Sequence, residues 1–477
     1  WQQTEGPEDL AIDNAESLTT SISFPQQAGR YRFQLTVTDR TELSATQALV
    51  INITNTALLN WQDCQFENVP EMKAGAECFH QNVPLEWSEP EANNIDTLVV
   101  RYLATEQPAK GKVWILDGGP GGNSRWAMRA DIQQIFNAEQ WDIYLPIHRG
   151  VEGPSKLSCN NGINFPTSEC FDELMSEYQG NLAAFNTENA AYDLADIIGK
   201  VQQEGEKDIV YGGSYGTFLA QKYLQQQEAA SDTAQIDGLI LDSSTPLDFQ
   251  SVDMAANYDL IGMRALAICN DNEFCRQQLG GDAFAFLDQT LEKLALGECF
   301  IDGQQSTPLT VDFAKSILDS AVTDYIDTVP GIIKMFNRCN ENDQSAFAYV
   351  NQLLSEDDDL RNEAFLGGDN ILLTANVIST NMHRPAISRA EHEQQLSELS
   401  FTNQENQPFY QLAQAWPLDA KPLNTTLPST SVPLLMLHGG LDPQTPEFLA
   451  QQVFDDYAGS QKTLVMFPTF AHGVIMK

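Results

Sequence analysis

The sequence has no apolar run of about 18 residues or more, so it offers no candidate transmembrane helix. Basic residues are scarce: 26 Lys and Arg stand against 66 Asp and Glu, a net charge of −40. A surface of that sign repels nucleic acid and anionic lipid, and neither is expected as a partner. High solubility accounts for the charge; attraction of a cationic group such as a peptide N-terminus is a second use for it. There is no C-x-x-C, and none of the six histidines stands at metal-ligand spacing, so neither a zinc site nor a cofactor is expected. The chain opens on Trp1 rather than Met and stops five residues after His472, so both ends read as trimmed.

Cysteine is present in an even number, eight. The residues fall into near neighbours: Cys64 with Cys78, Cys159 with Cys170, Cys269 with Cys275, and Cys299 with Cys339. Four local disulfides are the expectation from that spacing, and with them an oxidising compartment, secreted or periplasmic. A length of 477 residues calls for two or three units.

Residues 1–55 alternate apolar and polar positions around Ser21–Phe24, Tyr31–Thr38 and Ala48–Ile53, which predicts short strands. From Trp61 the pattern changes. Apolar runs at 97–103, 112–116, 141–147, 208–211, 238–242, 432–437 and 463–467 read as buried strands. Ala190, Ala191, Leu194, Ile197, Ile198 and Val201 keep helical spacing within 183–204. Residues 247–425 read as a helix-rich insertion between sheet strands, the pattern of a lid or cap over a site. The fold class is therefore α/β, with core segments 61–246 and 426–477, the cap at 247–425, and a separate all-β unit at 1–55.

The stretch Tyr211-Gly212-Gly213-Ser214-Tyr215-Gly216 carries the chemistry. It is G-x-S-x-G after an apolar strand and before a helical run, the context of a nucleophile elbow. Gly212 and Gly216 leave room for the tight turn, which lifts the Ser214 hydroxyl above the sheet. The N–H of Tyr215 then faces a developing oxyanion. A second glycine cluster, Asp117-Gly118-Gly119-Pro120-Gly121-Gly122, ends the strand at 112–116, and Gly119 is the candidate second oxyanion donor. Later in the chain come Asp442, in Gly439-Gly440-Leu441-Asp442-Pro443, and His472, in Ala471-His472-Gly473. Ser, Asp, His in that order is a nucleophile, an orienting acid and a general base. Asp242, at another strand end, is an alternative acid. His438 is the runner-up base. His148 and Arg149 read as structural residues of a turn, and His80, His383 and His392 have no supporting context. The charge run Glu356-Asp357-Asp358-Asp359 reads as a solvated face.

Residues 1–55 resemble part of a PKD-type immunoglobulin-like domain through Trp1-x-Gln3-x-x-Gly6-Pro7, Phe24 and Tyr31-x-Phe33-x-Leu35-x-Val37-x-Asp39. Residues 61–477 resemble the prolyl and tripeptidyl aminopeptidase group of α/β-hydrolases, nearest its tripeptidyl branch. The residues that carry this are Trp61-x-x-Cys64, Val83-Pro84-Leu85, the glycine cluster at 118–122, His148-Arg149-Gly150, the elbow through Thr217, Ile240-Leu241-Asp242, Gly439-x-x-Asp442-Pro443-x-Thr445-Pro446 and Ala471-His472-Gly473. The resemblance implies an α/β-hydrolase fold with a helical lid. It also implies a serine exopeptidase that releases residues or short peptides from free N-termini, with acidic groups on the substrate's α-amine. Glu152 is the candidate for that contact. The chain departs from the pattern at Ile147, where the family has Asp, and at Val151-Glu152-Gly153, one residue longer than usual. It also lacks the family's helix after the histidine. An esterase with the same triad is the alternative reading, and a catalytically dead binding protein a third. Epoxide and haloalkane hydrolases need a carboxylate where Ser214 stands.

Overall fold

A computed structural model describes residues 1–475 except 24, 26, 28, 54–58, 65–73, 160–165, 204, 230–234, 302–306, 357–369, 383–387, 404–415, 417 and 419–423. His383, Phe24 and Asp357-Asp358-Asp359 thus lie outside the described residues.

The N-terminal unit is all β. Strands β1 (Gln2–Glu5), β4 (Gly29–Thr38) and β5 (Ser44–Ile53) form an antiparallel sheet in the order β1-β4-β5, and β2 (Ile12–Asp13) pairs with β3 (Ser21–Ile22). Its small core is Leu10, Tyr31 and Phe33, the inward positions of β4 and one partner. The strand expected to reach Phe24 is described only at Ser21–Ile22.

The large sheet has nine strands, β6 (Gln62–Asp63), β7 (Glu77–Pro84), β8 (Asn94–Tyr102), β9 (Gly111–Leu116), β10 (Trp141–Pro146), β11 (Lys207–Gly213), β12 (Gly238–Asp242), β13 (Leu434–Gly439) and β14 (Lys462–Phe467). Their order is β14-β13-β12-β11-β9-β10-β8-β7-β6. Strands β9 to β14 run parallel, and β6, β7 and β8 are added antiparallel. The crossing of β9 and β10, followed by β11 to β14 in sequence, makes this the α/β-hydrolase sheet. All six residues of β9 are buried, as expected where helices cover both faces of a parallel sheet. Even Lys112 is buried there, with its ammonium on Glu206.

Helix α1 (Thr187–Val201) is capped by Asn186, whose side chain accepts from the Asn189 N–H at 2.8 Å. Its buried stripe of Ala190, Ala191, Leu194, Ile197, Ile198 and Val201 packs on β9 and β11 residues in one apolar cluster. Helix α2 (Tyr215–Ala229) follows the elbow directly, two residues earlier than the apolar spacing indicates.

The region expected as a single cap divides in two. Helices Met254–Asp271, Ala283–Ala295, Val311–Asp324 and Val329–Arg338 build a cluster of their own around Leu266, Leu287, Leu318, Val322 and Phe336. Residues 371–382 behave differently. Ile371, Leu372, Leu373, Ala375, Val377 and Met382 belong to the apolar cluster that contains Ile115, Leu145 and Tyr215 of the hydrolase core. This segment carries no charged side chain over 371–378 and is buried against the sheet, with Thr374, Asn376 and Asn381 as buried polar residues among its apolar ones.

The four disulfides are Cys64–Cys78, Cys159–Cys170, Cys269–Cys275 and Cys299–Cys339, the neighbour pairs that spacing indicates. Two of them staple the cap cluster, closing loops with sequence separations of 6 and 40 residues. Loop-closure entropy grows with the logarithm of loop size, so replacing Cys299 and Cys339 by Ala is expected to cost about 4 kcal/mol, against about 2 kcal/mol for Cys269 and Cys275. Urea unfolding of the two double variants checks this; equal losses would contradict it.

Candidate active site

Every candidate catalytic residue sits at the carboxyl end of a parallel strand, where open α/β sheets bind ligands. Ser214 follows β11 with φ of 52°, in the left-handed region that a non-glycine residue enters at a cost of about 1–3 kcal/mol. Its N–H donates to the Asp242 carbonyl at 2.9 Å, and its own carbonyl accepts from Thr217. The neighbours must be glycine. A Cβ on Gly216 would stand 2.1 Å from the Leu116 carbonyl oxygen, and one on Gly212 would stand 2.5 Å from the Gly216 carbonyl oxygen.

The loop after β9 approaches the serine from the next strand. A Cβ on Gly118 would meet the Ser214 Cβ at 2.9 Å. The Asp117 carboxylate holds the base of this loop, accepting from the N–H groups of Gly118 (2.8 Å) and Ser124 (2.6 Å) and from the Trp126 indole (3.0 Å). Gly122 N–H donates to the Gly118 carbonyl at 3.1 Å. The peptide linking Gly118 and Gly119 is planar, so that bond turns the Gly119 N–H the opposite way. Among the described residues, neither the Gly119 N–H nor the Tyr215 N–H has an acceptor.

Asp442 follows β13 and is fully buried. Both of its carboxylate oxygens lie 2.9 Å from His472 Nδ1. The N–H groups of Gln444 and Thr445 and the Thr445 hydroxyl donate to the same carboxylate. Burial alone would raise this carboxyl, but the charge and hydrogen bond of His472 hold it below the usual carboxylate range. The structure thus brings Asp442 and His472 together. It does not bring Asp242 to the imidazole. Asp242 instead accepts from the N–H groups of Val474 (2.8 Å) and Ile475 (2.7 Å) and from the Tyr211 hydroxyl (3.0 Å), which fixes the turn after His472. His438 is fully buried near Asp442, burial pushes its pKa down, and neither ring nitrogen has a partner among the described residues.

Tyr215 is anchored through its phenol. His148 Nε2 lies 3.1 Å from the Tyr215 hydroxyl and His148 Nδ1 lies 2.8 Å from the Arg149 carbonyl. A carbonyl can only accept, so Nδ1 carries the proton of the neutral ring and Tyr215 donates to Nε2. Thr187 Oγ1 is 2.8 Å from the Tyr215 hydroxyl and 3.0 Å from Asn381 Oδ1, and its single proton serves one of them at a time. Arg149 is fully buried and donates to Asp193 and to the carbonyls of Leu85, Ala184 and Pro84, which pins the turn.

A pocket beside Ser214 is lined by Gly119, Pro120, Tyr215, Thr245, Phe249, Ser251, Met254, Ile378, Met382, Gln444 and Thr445. None of these side chains is charged. Glu152 is not among them; its carboxylate lies 3.6 Å from Arg125 and 3.4 Å from Lys156. No group of His, Cys, Asp and Glu among the described residues is arranged to hold a metal ion. The residues that sequence reasoning misses are Asp117, Thr187, Asn370, Thr374 and Asn381. Asn370 before Ile-Leu-Leu carries a helix-cap signal, but partners more than 200 residues away leave no local trace.

Residues 1–53 match a family model that describes a PKD domain. No curated protein sequence matches the chain significantly. Among solved structures, an esterase from Exiguobacterium antarcticum is 14% identical, with 84% of this chain and 91% of that one aligned at a TM-score of 0.32. An esterase from Rhodococcus sp. ECU1013 is 12% identical, with 83% and 93% aligned at 0.34. An α/β-hydrolase fold protein from Nakamurella multipartita is 11% identical, with 83% and 91% aligned at 0.32. These values are too low to inform the chemistry of this chain.

His148 supplies a pH test. By surface area it is half-buried, yet both ring nitrogens face protein, and burial with the nearby Arg149 charge lowers its pKa from 6.5 to about 4. The unfolded chain takes up a proton below 6.5 that the folded chain refuses. Stability is therefore full above pH 6.5 and falls between 6.5 and 4 by up to about 3 kcal/mol on this account. His148→Asn is expected to lose that part of the pH dependence, read as the difference between the two unfolding profiles at pH 7 and pH 4. Parallel profiles would refute the assignment.

Proposed function

We propose that the chain is a serine acyl hydrolase. The observation that carries this reading is a strained serine on a glycine elbow, beside the end of β9, with a buried Asp–His pair on the strands that follow. In this reading the Ser214 hydroxyl attacks the carbonyl carbon and its proton passes to His472 Nε2. Asp442 keeps the proton on Nδ1 and offsets the imidazolium charge. The oxyanion is met by the N–H groups of Gly119 and Tyr215, each worth on the order of 3 kcal/mol. Collapse expels the leaving group, which takes the proton from His472. Water then repeats the sequence on the acyl-enzyme and frees Ser214.

The finer reading is an exopeptidase acting on free N-termini. Its support is the resemblance of 61–477 to the prolyl and tripeptidyl aminopeptidases, together with the acidic surface. Glu152 remains the candidate for the substrate's α-amine, although Arg125 and Lys156 already engage its carboxylate. A specific observation favours the second reading, an esterase. The described lining of the pocket beside Ser214 is uncharged, with Phe249, Met254, Ile378 and Met382 at its apolar side. Such a wall accepts a neutral acyl group and gives an ammonium no counter-charge. The four disulfides fit a protein that folds in an oxidising compartment.

Peptide amides of Ala-Ala-Pro, Pro and Ala, with free and blocked N-termini, and simple esters separate these readings. An aminopeptidase turns over only the free-amine substrates; an esterase turns over esters and is indifferent to blocking. In either case Ser214→Ala is expected to lose on the order of 10⁴-fold or more in kcat. Retained turnover in that variant would sink the serine mechanism.

A further inference from the structure

One short segment, residues 370–382, reaches both donors of the proposed oxyanion hole. It comprises helix α3 (Ile371–Val377), the cap residue Asn370 before it and a π-helical turn (Ile378–Met382) after it. At its start, the Thr374 hydroxyl donates to the Pro120 carbonyl and the Asn370 N–H donates to the Gly121 carbonyl at 3.2 Å. A Cβ on Gly121 would stand 2.7 Å from the Asn370 carbonyl oxygen, so loop and segment are in direct contact. The Asn370 amide also donates to the carbonyls of Gly150 (2.9 Å) and Leu157 (3.0 Å), tying the segment to the loop after β10. At its end, Asn381 Oδ1 accepts from the Thr187 N–H at 3.1 Å and lies 3.0 Å from Thr187 Oγ1, which in turn meets the Tyr215 hydroxyl. Ile378, between these two anchors, and Met382, next after the second, line the pocket beside Ser214.

We propose that segment 370–382 is a positioning element that sets the distance between the Gly119 and Tyr215 N–H groups, through Thr374 at one end and Asn381 with Thr187 at the other. This deepens the acyl-hydrolase reading and rests on it. The physical reason is the flexibility of the two donors' surroundings. Gly119 and Gly121 have φ of +107° and +109°, in a stretch, 118–122, where four of the five residues are glycine and only Pro120 carries a side chain. Asp117 holds the base of that loop from below, and Thr374 and Asn370 hold its far side. Tyr215 begins a helix, where the first N–H groups have no partner within the helix, and its fully enclosed phenol is the handle that fixes its rotation. Both anchors are polar contacts inside an apolar cluster, which makes them directional and costly to break.

The test uses variants that remove one hydroxyl with little loss of volume, Thr374 with its bonds to Pro120 and Asn370 and Tyr215 with its bonds to Thr187 and His148. Thr374→Val severs the first arm, Tyr215→Phe severs the second, and Thr374→Ser restores the first. Two readouts apply: kcat and KM on the best substrate, and the rate at which a fluorophosphonate labels Ser214, since its phosphoryl oxygen needs the same two donors. Thr374→Val and Tyr215→Phe are expected to lower kcat and the labelling rate together by roughly ten- to a hundredfold, with KM held within about twofold. Thr374→Ser is expected to recover most of the loss, at an unfolding midpoint shared by all three variants. Labelling at the wild-type rate in both loss variants overturns the inference, as does a rise in KM with kcat held. A Val variant that loses activity only in proportion to its unfolded fraction overturns it too. A wild-type chain whose Ser214 does not react at all overturns the hydrolase reading itself, which the variants alone cannot do.

Discussion

The site depends first on how closely α2 approaches β9. The carbonyl of Leu116 lies where a Cβ of Gly216 would be, 2.1 Å away, so the first turn of the helix rests directly on the end of the neighbouring strand. That contact forces the chain to reverse within a few residues after Gly213, and the reversal puts Ser214 at φ 52°. It also puts the loop 117–122 against the serine, since that loop begins where β9 ends. One close approach therefore sets Ser214, its helix N-terminus and the second glycine loop in relation to one another. The strain at Ser214 is offset by bonds on both sides, its N–H on Asp242 and its carbonyl on Thr217.

The large insertion contributes in two unlike ways. Its helices at 254–338 form a cluster with its own core and its own two disulfides, and the cluster reaches the hydrolase through Leu441, the residue before Asp442. The insertion's later part, 371–382, is instead absorbed into the sheet's core. The difference follows from composition. Helix Val311–Asp324 carries charged residues at Asp312, Lys315, Asp319 and Asp324, whereas 371–378 offers no charged residue at all. A stretch with no polar face has nowhere to go but the interior, and its few polar side chains must then find partners there. Asn370, Thr374, Asn376 and Asn381 do so on backbone carbonyls and on Thr187.

The strands, their buried character and the order Ser214, Asp442, His472 are legible because each leaves a local signal: an apolar run, a glycine pair, an acid or a histidine just past a strand end. The disulfide pairs are legible for a like reason, since each joins a cysteine to the next one along the chain. The two-part nature of the insertion is not. The sequence marks 247–425 as helix-rich but does not say which cluster the helix at 371–377 joins. The supports of the site are less legible still. Thr187 reads as an unremarkable first residue of α1, yet its hydroxyl stands between Tyr215 and Asn381, residues 28 and 194 positions away. Glu152 shows how neighbours add to what a loop position suggests. Its place in the loop suggests a role at the site, and the fold sets Arg125 and Lys156 within 3.6 Å and 3.4 Å of its carboxylate.

Asp242 and Asp442 illustrate how position decides what a carboxylate does. Both are fully buried at the ends of adjacent parallel strands, and either is a reasonable triad acid from sequence. A buried carboxylate must be supplied with donors. For Asp442 they are the imidazole, two N–H groups and the Thr445 hydroxyl, so its charge is balanced by a group that can itself take up a proton. For Asp242 they are the N–H groups of Val474 and Ile475 and the Tyr211 hydroxyl, none of which titrates near neutral pH. Asp242 is thereby committed to holding the turn that carries His472, while the Ser243 hydroxyl takes the Gly473 N–H beside it. One acid orients the ring and the other orients the backbone that bears it. Removing the second would leave the Asp442–His472 bond chemically possible but aimed by a loose turn, so the two carboxylates act in series, and the one out of contact with the imidazole is no less a condition of its geometry.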